Sequence, residues 1–287
     1  MKEYRLVDRE QFEEFRGNLK TITFNIAGVE VGTEKPLIIA GPCTVHSYRQ
    51  TMEIAHGVKE AGADMLRGGA YKPRTSPYSF QGLGLEGLEI LAEAGKQTGL
   101  PLVTEVIDPR KVEEVGNFAD VFQIGSRSMQ NTELLKEVGK YAAQNGQGVL
   151  IKTALQTTLL EVLCAAEYVA KEGAEKIILC ERGMNITEGN MRNTPNPSLL
   201  LELREHTHFP VIGDPNHSTG EARYVLFAAE MYLAAGANGL IIEVIRDDEP
   251  LDINGIPVCD RKQGLPLSKF KDYMDRIENR TVVQTWY

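Results

Sequence analysis

From residue 37 onward the chain alternates short apolar runs with longer amphipathic stretches, and this rhythm constrains the fold more than any other feature. Runs rich in Ile, Leu and Val occupy 37–40, 64–66, 102–104, 121–124, 149–151, 176–179, 211–212 and 239–242. Glycine, proline or a polar residue bounds each of them. Apolar residues in succession describe a strand buried on both faces, and such strands belong to parallel sheets whose connections return as helices. Segments 49–60, 84–97, 131–143, 159–171 and 221–235 supply those helices. In 161–171, Val162, Ala165, Ala166, Val169 and Ala170 fall at helical spacing, with Glu167 and Lys171 off that stripe. AGAD at 61–64, TGLP at 98–101 and AGANG at 235–239 put glycine between helix and next strand, where a left-handed cap is needed.

Repeats about 25–30 residues apart are the size of a (β/α)8 unit. The predicted fold class is therefore α/β, a single (β/α)8 TIM barrel with a short N-terminal β-hairpin extension. An open doubly wound sheet is the alternative, but no GxGxxG turn follows the first run. Residues 1–34 stand outside the rhythm. Within them, 21–26 and 29–31 flank Ala27-Gly28 and read as a hairpin, expected to plug the bottom of the barrel. The expected organisation is an extension over 1–34 and a catalytic barrel over 35–287.

A net charge of −9 argues against nucleic acid or an anionic membrane as partner, so any anion site must be a local basic cluster. Cys43, Cys164, Cys180 and Cys259 lie far apart without a CxxC pair, the pattern of reduced thiols. The charged start MKEYRLVDREQFEEF has no signal-peptide run, and no stretch reaches the roughly 20 apolar residues that span a bilayer. A cytoplasmic protein is expected.

TIM barrels carry their sites at the C-terminal ends of the strands. Just past the runs come Cys43, Arg67, Glu105, Gln123 with Arg127, Lys152, Glu181 with Arg182, Asp214 with His217, and Glu243. A lone cysteine is usually a small buried hydrophobe. Cys43, His217 and Glu243, however, follow the first, seventh and eighth runs, which become neighbours only when a barrel closes. Thiolate, imidazole and carboxylate suit a divalent transition metal, with Asp260 as a possible fourth ligand; Mn, Fe, Co and Zn all remain open. Residues 65–84 form the candidate anion loop: Arg67, Lys72 and Arg74 lie among glycines, prolines and the hydroxyls of Thr75, Ser76 and Ser79, with no acid in the window although the chain has 40. Fixed cations, hydroxyls and backbone N–H groups are what phosphate oxygens require. Arg127, Lys152, Arg182 and Arg192 add charge, enough for two phosphorylated ligands.

These strings, GPCTVHS (41–47), RGGAYKPRTSPYSFQGLG (67–84), QIGSRSMQN (123–131), ILCERG (178–183) and DPNHSTG (214–220), resemble in order the type I β subclass of 3-deoxy-heptulosonate 7-phosphate (DAHP) synthases. The likeness runs from about residue 35 to 275. It implies condensation of phosphoenolpyruvate with erythrose 4-phosphate, releasing phosphate at the opening of the shikimate pathway, in a homotetramer or homodimer. It also implies metal ligands at Cys43, His217, Glu243 and Asp260. The phosphoenolpyruvate site would be Arg67, Lys72, Arg127, Lys152 and Arg182, and the aldose phosphate site Pro73, Arg74, Thr75 and Ser76, with Gln123 a further substrate-binding candidate. The related 3-deoxy-octulosonate 8-phosphate synthases typically carry KAN where this chain has Lys72-Pro73-Arg74, which favours the four-carbon aldose. With no regulatory domain before the barrel, little feedback inhibition is expected.

The chain departs from the pattern at Thr153-Ala154 after Lys152, over 184–197, in an insertion near 251–256, and at His46, where the subclass commonly has Glu. These departures keep open a paralogue for another aldose phosphate and a silent phosphoenolpyruvate-binding barrel. A different chemistry, with Lys152 as the Schiff-base nucleophile of a metal-free aldolase, is also open. Glu105 and Asp214 are both candidates to move protons.

Overall fold

The computed structural model describes residues 21–186 and 191–282. Each apolar run becomes a strand. After a hairpin of β1 (Phe24–Ile26) and β2 (Val29–Val31) come β3 (Leu37–Gly41), α1 (Tyr48–Glu60), β4 (Met65–Arg67), α2 (Leu85–Thr98), β5 (Leu102–Glu105), α3 (Val112–Gly116) and β6 (Val121–Ile124). Next are α4 (Thr132–Asn145), β7 (Gly148–Lys152), α5 (Leu159–Lys171), β8 (Ile177–Glu181), α6 (Pro197–His206) and β9 (Val211–Gly213). The chain ends with α7 (Pro215–Thr219), α8 (Ala222–Ala234), β10 (Gly239–Ile245), a hairpin of β11 (Asp252–Ile253) and β12 (Ile256–Pro257), β13 (Leu265–Pro266) and α9 (Leu267–Ile277). Strands β3 to β9 pair in parallel in chain order, and β10 pairs with both β3 and β9, so the sheet closes into the expected eight-stranded barrel. The short β13 adds to β10 from outside that ring. No described helix is long and apolar enough to cross a membrane.

Strand alternation sorts the apolar residues into two cores. Ile38, Ala40, Leu66, Phe122, Ile151, Leu179 and Ile242 face outward and are buried under the helices. Their neighbours Ile39, Met65, Val103, Val121, Leu150, Ile178, Ile212 and Ile241 point inward and pack together in the lower barrel. Two residues further along, on the same inward face, most strands change character: Arg67, Glu105, Gln123, Lys152, Asp214 and Glu243 follow, whereas on β8 Cys180 keeps to the apolar cluster and Arg182 comes two residues later. The barrel is thus an apolar cylinder below and a polar bowl above.

The hairpin closes the lower end as expected. Ala27 and Gly28 take positive φ (46° and 92°) in the two-residue turn, and Ile26 and Val31 join the inner cluster. Gly148 opens β7 because a Cβ there would meet Ile26 Cδ1 at 2.5 Å. Residues 1–20 of the extension lie outside the described residues. Helices α6 and α9 complete the expected alternation beyond the five segments picked out by periodicity. The first starts from an Asn196 cap with Pro197 at its first turn; the second buries Phe270, Tyr273, Met274 and Ile277, a clean helical stripe.

Candidate active site

The rim of the barrel is built from strand ends whose side chains meet only because the sheet closes. Arg67, ending β4, donates through Nη1 to Glu243 Oε1 of β10 at 2.8 Å and through Nη2 to the Cys43 carbonyl at 3.1 Å. All three residues are buried. Glu243 also accepts from Gln263 Nε2 at 2.6 Å, and its own N–H donates to Asn216 Oδ1 at 2.9 Å. Its carboxyl lies well below the usual range: burial opposes ionisation, but its interactions with His217, Arg67 and Lys72 outweigh it.

Asp214 follows β9 and caps α7, accepting from the His217 N–H at 3.1 Å. Its Oδ2 holds two further groups, Lys152 Nζ at 2.6 Å and His217 Nδ1 at 2.8 Å. Despite complete burial, His217 and Lys152 keep its carboxyl well below the ordinary range, so Asp214 stays an anion. Burial pushes the His217 ring down, which favours neutral imidazole. With Nδ1–H donating to Asp214, the lone pair on Nε2 faces the Glu243 carboxylate, whose Oε1 is 3.5 Å away.

The chain then returns from far along the sequence. Asp260 has φ 51°, an uncommon value for a residue with a side chain, and this bend turns its carboxylate inward. Its Oδ2 lies 3.4 Å from Cys43 Sγ, and Lys72 Nζ sits 2.7 Å from the sulfur and 3.4 Å from the carboxylate. Burial, then Glu243, push the Cys43 thiol up, while Lys72 pulls it down. Donor atoms of Cys43, Glu243 and Asp260 all fall within 4.8 Å of one another; His217 is not in that group, but its Nε2 lies 3.5 Å from Glu243 Oε1. Soft sulfur, imidazole and carboxylates so gathered, with Nδ1 of the histidine tied to a carboxylate, fit a divalent transition metal.

Above this group a cleft encloses about 500 Å³, part of it open to solvent. Arg67, Lys72, Arg127, Lys152, Arg182 and Arg192 line it, against the carboxyls of Glu105 and Asp260. Glu105 differs from Asp214. Gln123 Nε2 reaches it at only 3.3 Å, and burial raises its carboxyl even though Lys72, Lys152, Arg67 and Arg127 pull the other way. Gly125 is glycine because a Cβ there would collide with Glu105 Oε1. Among the expected aldose-phosphate residues, Pro73 lines the cleft, Thr75 and Ser76 lie exposed on the rim, and Arg74 contacts Cys259 Sγ at 3.2 Å. Arg127 links this loop to β6 through the Pro73 carbonyl and Thr75 Oγ1, at 3.4 and 3.5 Å.

The model of the DAHP synthetase I family matches residues 13–282. The chain belongs to that family. A phospho-2-dehydro-3-deoxyheptonate aldolase of Thermotoga maritima is 40% identical, covering 97% of this chain and 78% of its own. The crystal structure of the DAHP synthase from that organism superposes with a TM-score of 0.85 at 39% identity, over 97% of this chain and 77% of that one. A 2-dehydro-3-deoxyphosphooctonate aldolase of Syntrophobacter fumaroxidans is 28% identical over 88% of this chain and 90% of its own.

Against this family frame, some contributors at the rim had no signal in the residue pattern. Gln263 bridges Glu243 and Arg192, whose Nη1 donates to Gln263 Oε1 at 3.1 Å, and Asn216 ties the Glu243 and Gln263 carbonyls together at 3.0 and 2.7 Å. Neither follows an apolar run directly. Their nearness to His217 and Asp260 in the sequence was the available clue.

Proposed function

We propose that this DAHP synthetase family member condenses phosphoenolpyruvate with erythrose 4-phosphate to give DAHP and phosphate, using the cleft residues of the 35–287 barrel. The convergence of the Cys43, Glu243 and Asp260 donors, with His217 beside Glu243, below a cation-lined cleft carries the reading. A divalent ion held by Cys43, His217, Glu243 and Asp260 would supply Lewis-acid polarisation of the aldehyde oxygen. Arg67, Lys72, Arg127, Lys152 and Arg182, with Gln123 beside them, hold the carboxylate and phosphate of phosphoenolpyruvate so that C3 faces the aldehyde. Pro73, Arg74, Thr75 and Ser76 take the aldose phosphate at the rim. C3 bonds to the aldehyde carbon, whose oxygen takes up a proton. Water adds to C2 and gives up a proton, leaving a hydroxyl there; the C2–O bond to phosphate then breaks as that hydroxyl becomes the keto group, its proton leaving with the phosphate. Glu105 is the group that relays these protons, because burial lets it hold one, whereas Asp214 is kept ionised by Lys152 and His217. That same ion pair argues against a Schiff-base role for Lys152, since an ammonium bound at 2.6 Å to a carboxylate is a poor amine nucleophile.

The test is phosphate release from phosphoenolpyruvate with aldose phosphates of three to five carbons, with and without chelator. Highest turnover with erythrose 4-phosphate, lost with chelator and restored by Mn, Fe, Co or Zn, is expected. A preference for arabinose 5-phosphate would move the chain to the octulosonate chemistry. Turnover untouched by chelator would remove the metal from the reading, and tight phosphoenolpyruvate binding without phosphate release would mark a silent barrel.

A further inference from the structure

His46 is used by no step above, yet it sits where three rim segments meet. Its ring is 5% exposed. Nε2 accepts the backbone N–H of Cys259 at 3.0 Å, so the ring proton belongs on Nδ1. One face stacks on Phe80 of the 72–80 loop, with centroids 4.8 Å apart and planes 29° from parallel. The backbone continues the contact: His46 N donates to Gln50 Oε1 at 3.4 Å, and Gln50 Nε2 donates to Glu249 Oε1 at 3.0 Å. Glu249 in turn accepts from the Arg246 N–H at 3.0 Å, and its carbonyl accepts from Arg261 Nε at 3.0 Å. The long segment after β10 is thereby sewn to the segment after β3 at two points. One of those points is the residue immediately before Asp260.

That position matters because Asp260 holds a left-handed backbone conformation. A non-glycine residue is strained there and persists only when its surroundings over-determine it. On the C-terminal side the Gln263 N–H donates to the Asp260 carbonyl at 2.9 Å; on the N-terminal side the restraint is the Cys259–His46 bond. Cys259 also meets Arg74 through its sulfur, so one short stretch touches both the donor set and the aldose-phosphate loop.

We propose that His46 is a positioning residue that holds Asp260 among the metal donors and, by stacking on Phe80, couples the metal group to the aldose-phosphate loop. The proposal deepens the reading above and rests on it. It requires that loss of the ring acceptor weaken metal and aldose phosphate binding together while phosphoenolpyruvate binding stays as it was.

The test titrates the metal-free enzyme with Mn²⁺, following the free ion by electron paramagnetic resonance, and then measures the KM of each substrate at saturating Mn²⁺. His46→Phe keeps an aromatic ring against Phe80 but removes the acceptor; His46→Gln returns an acceptor at a similar reach. With melting curves confirming folded protein, His46→Phe is expected to bind Mn²⁺ about tenfold more weakly, the scale seen when a residue supporting a metal ligand is lost. Its KM for erythrose 4-phosphate should rise and that for phosphoenolpyruvate should not, and His46→Gln should recover most of the lost affinity. If His46→Phe does not fold, His46→Asn, whose amide is too short to reach Cys259, takes its place in the same comparison. A folded acceptor-less variant that binds Mn²⁺ like the wild type, or a folded His46→Gln that recovers nothing, overturns the proposal. A wild-type protein that binds no Mn²⁺ overturns the metal reading beneath it.

Discussion

The lower and upper halves of the barrel are made by the same strands, two residues apart on the same face, and they do opposite things. Below, Met65, Val103, Val121, Leu150, Ile178 and Ile241 are removed from water and held by the Ile26–Val31 hairpin. Burying such side chains contributes about 1.5–3 kcal/mol each, and the result tolerates nothing polar. Above, Arg67, Glu105, Gln123, Lys152 and Glu243 are buried or half-buried as well, but they meet polar partners on other strand ends: Arg67 pairs with Glu243, Lys152 with Asp214, and Gln123 with Glu105. The lesson is that stability and chemistry are separated by one pleat of the sheet. Substitutions in one half should therefore leave the other largely alone.

The largest expected effect lies in the upper half. Cys43→Ala should lower turnover about a thousandfold or more, the rate equivalent of several kcal/mol of Lewis-acid stabilisation, with little change in melting temperature. Steady-state phosphate release and calorimetry check both parts, and full chelator-resistant activity in the variant would break the assignment. Next, Glu105→Gln should cut kcat by about 10²-fold or more while leaving phosphoenolpyruvate binding nearly intact. It should also remove one limb of the pH–rate profile, whereas an unchanged profile would return the proton relay to another group.

The lower half gives the converse result. Leu150→Ala should cost about 2–5 kcal/mol of stability through the cavity it leaves, with kcat and both KM values of the folded fraction unchanged. A kinetic defect there would show that the two halves are mechanically linked. The smallest effect concerns Glu181, at the junction. Burial raises its carboxyl from 4.5 to about 7, against hydrogen bonds from Tyr232, Gly183 and Asn196. The folded protein thus binds this proton more tightly than the unfolded chain. Its contribution is fully present below pH 4.5 and is lost as pH rises toward 7, by at most about 3 kcal/mol. Chemical denaturation of wild type and Glu181→Gln across that range should show a greater loss of stability with rising pH in the wild type than in the variant.

Much of this was legible before any fold was known. The eight apolar runs each became a strand, and the polar residue following a run came to the rim because the inward face repeats every second residue. Asp260 was harder to place: the β11–β12 hairpin separates it from β10, and tertiary contacts such as the Val258–Leu251 and Cys259–His46 hydrogen bonds bring it back. Gln263 and Asn216 carry no periodic signal for a related reason: Gln263 reaches the rim from a turn and Asn216 from the five-residue α7.

By itself, the order of residues determined the parallel barrel, the plugging hairpin, the family likeness and the residues able to bear charge at the mouth. These follow from local periodicity and from which side chain comes next along a strand. The tertiary structure alone decided which carboxyl can hold a proton, which is kept ionised, and how Cys43 and Asp260, 217 residues apart, come within 3.4 Å. Ionisation and coordination depend on burial and on neighbours across the ring, and those exist only once the sheet has closed.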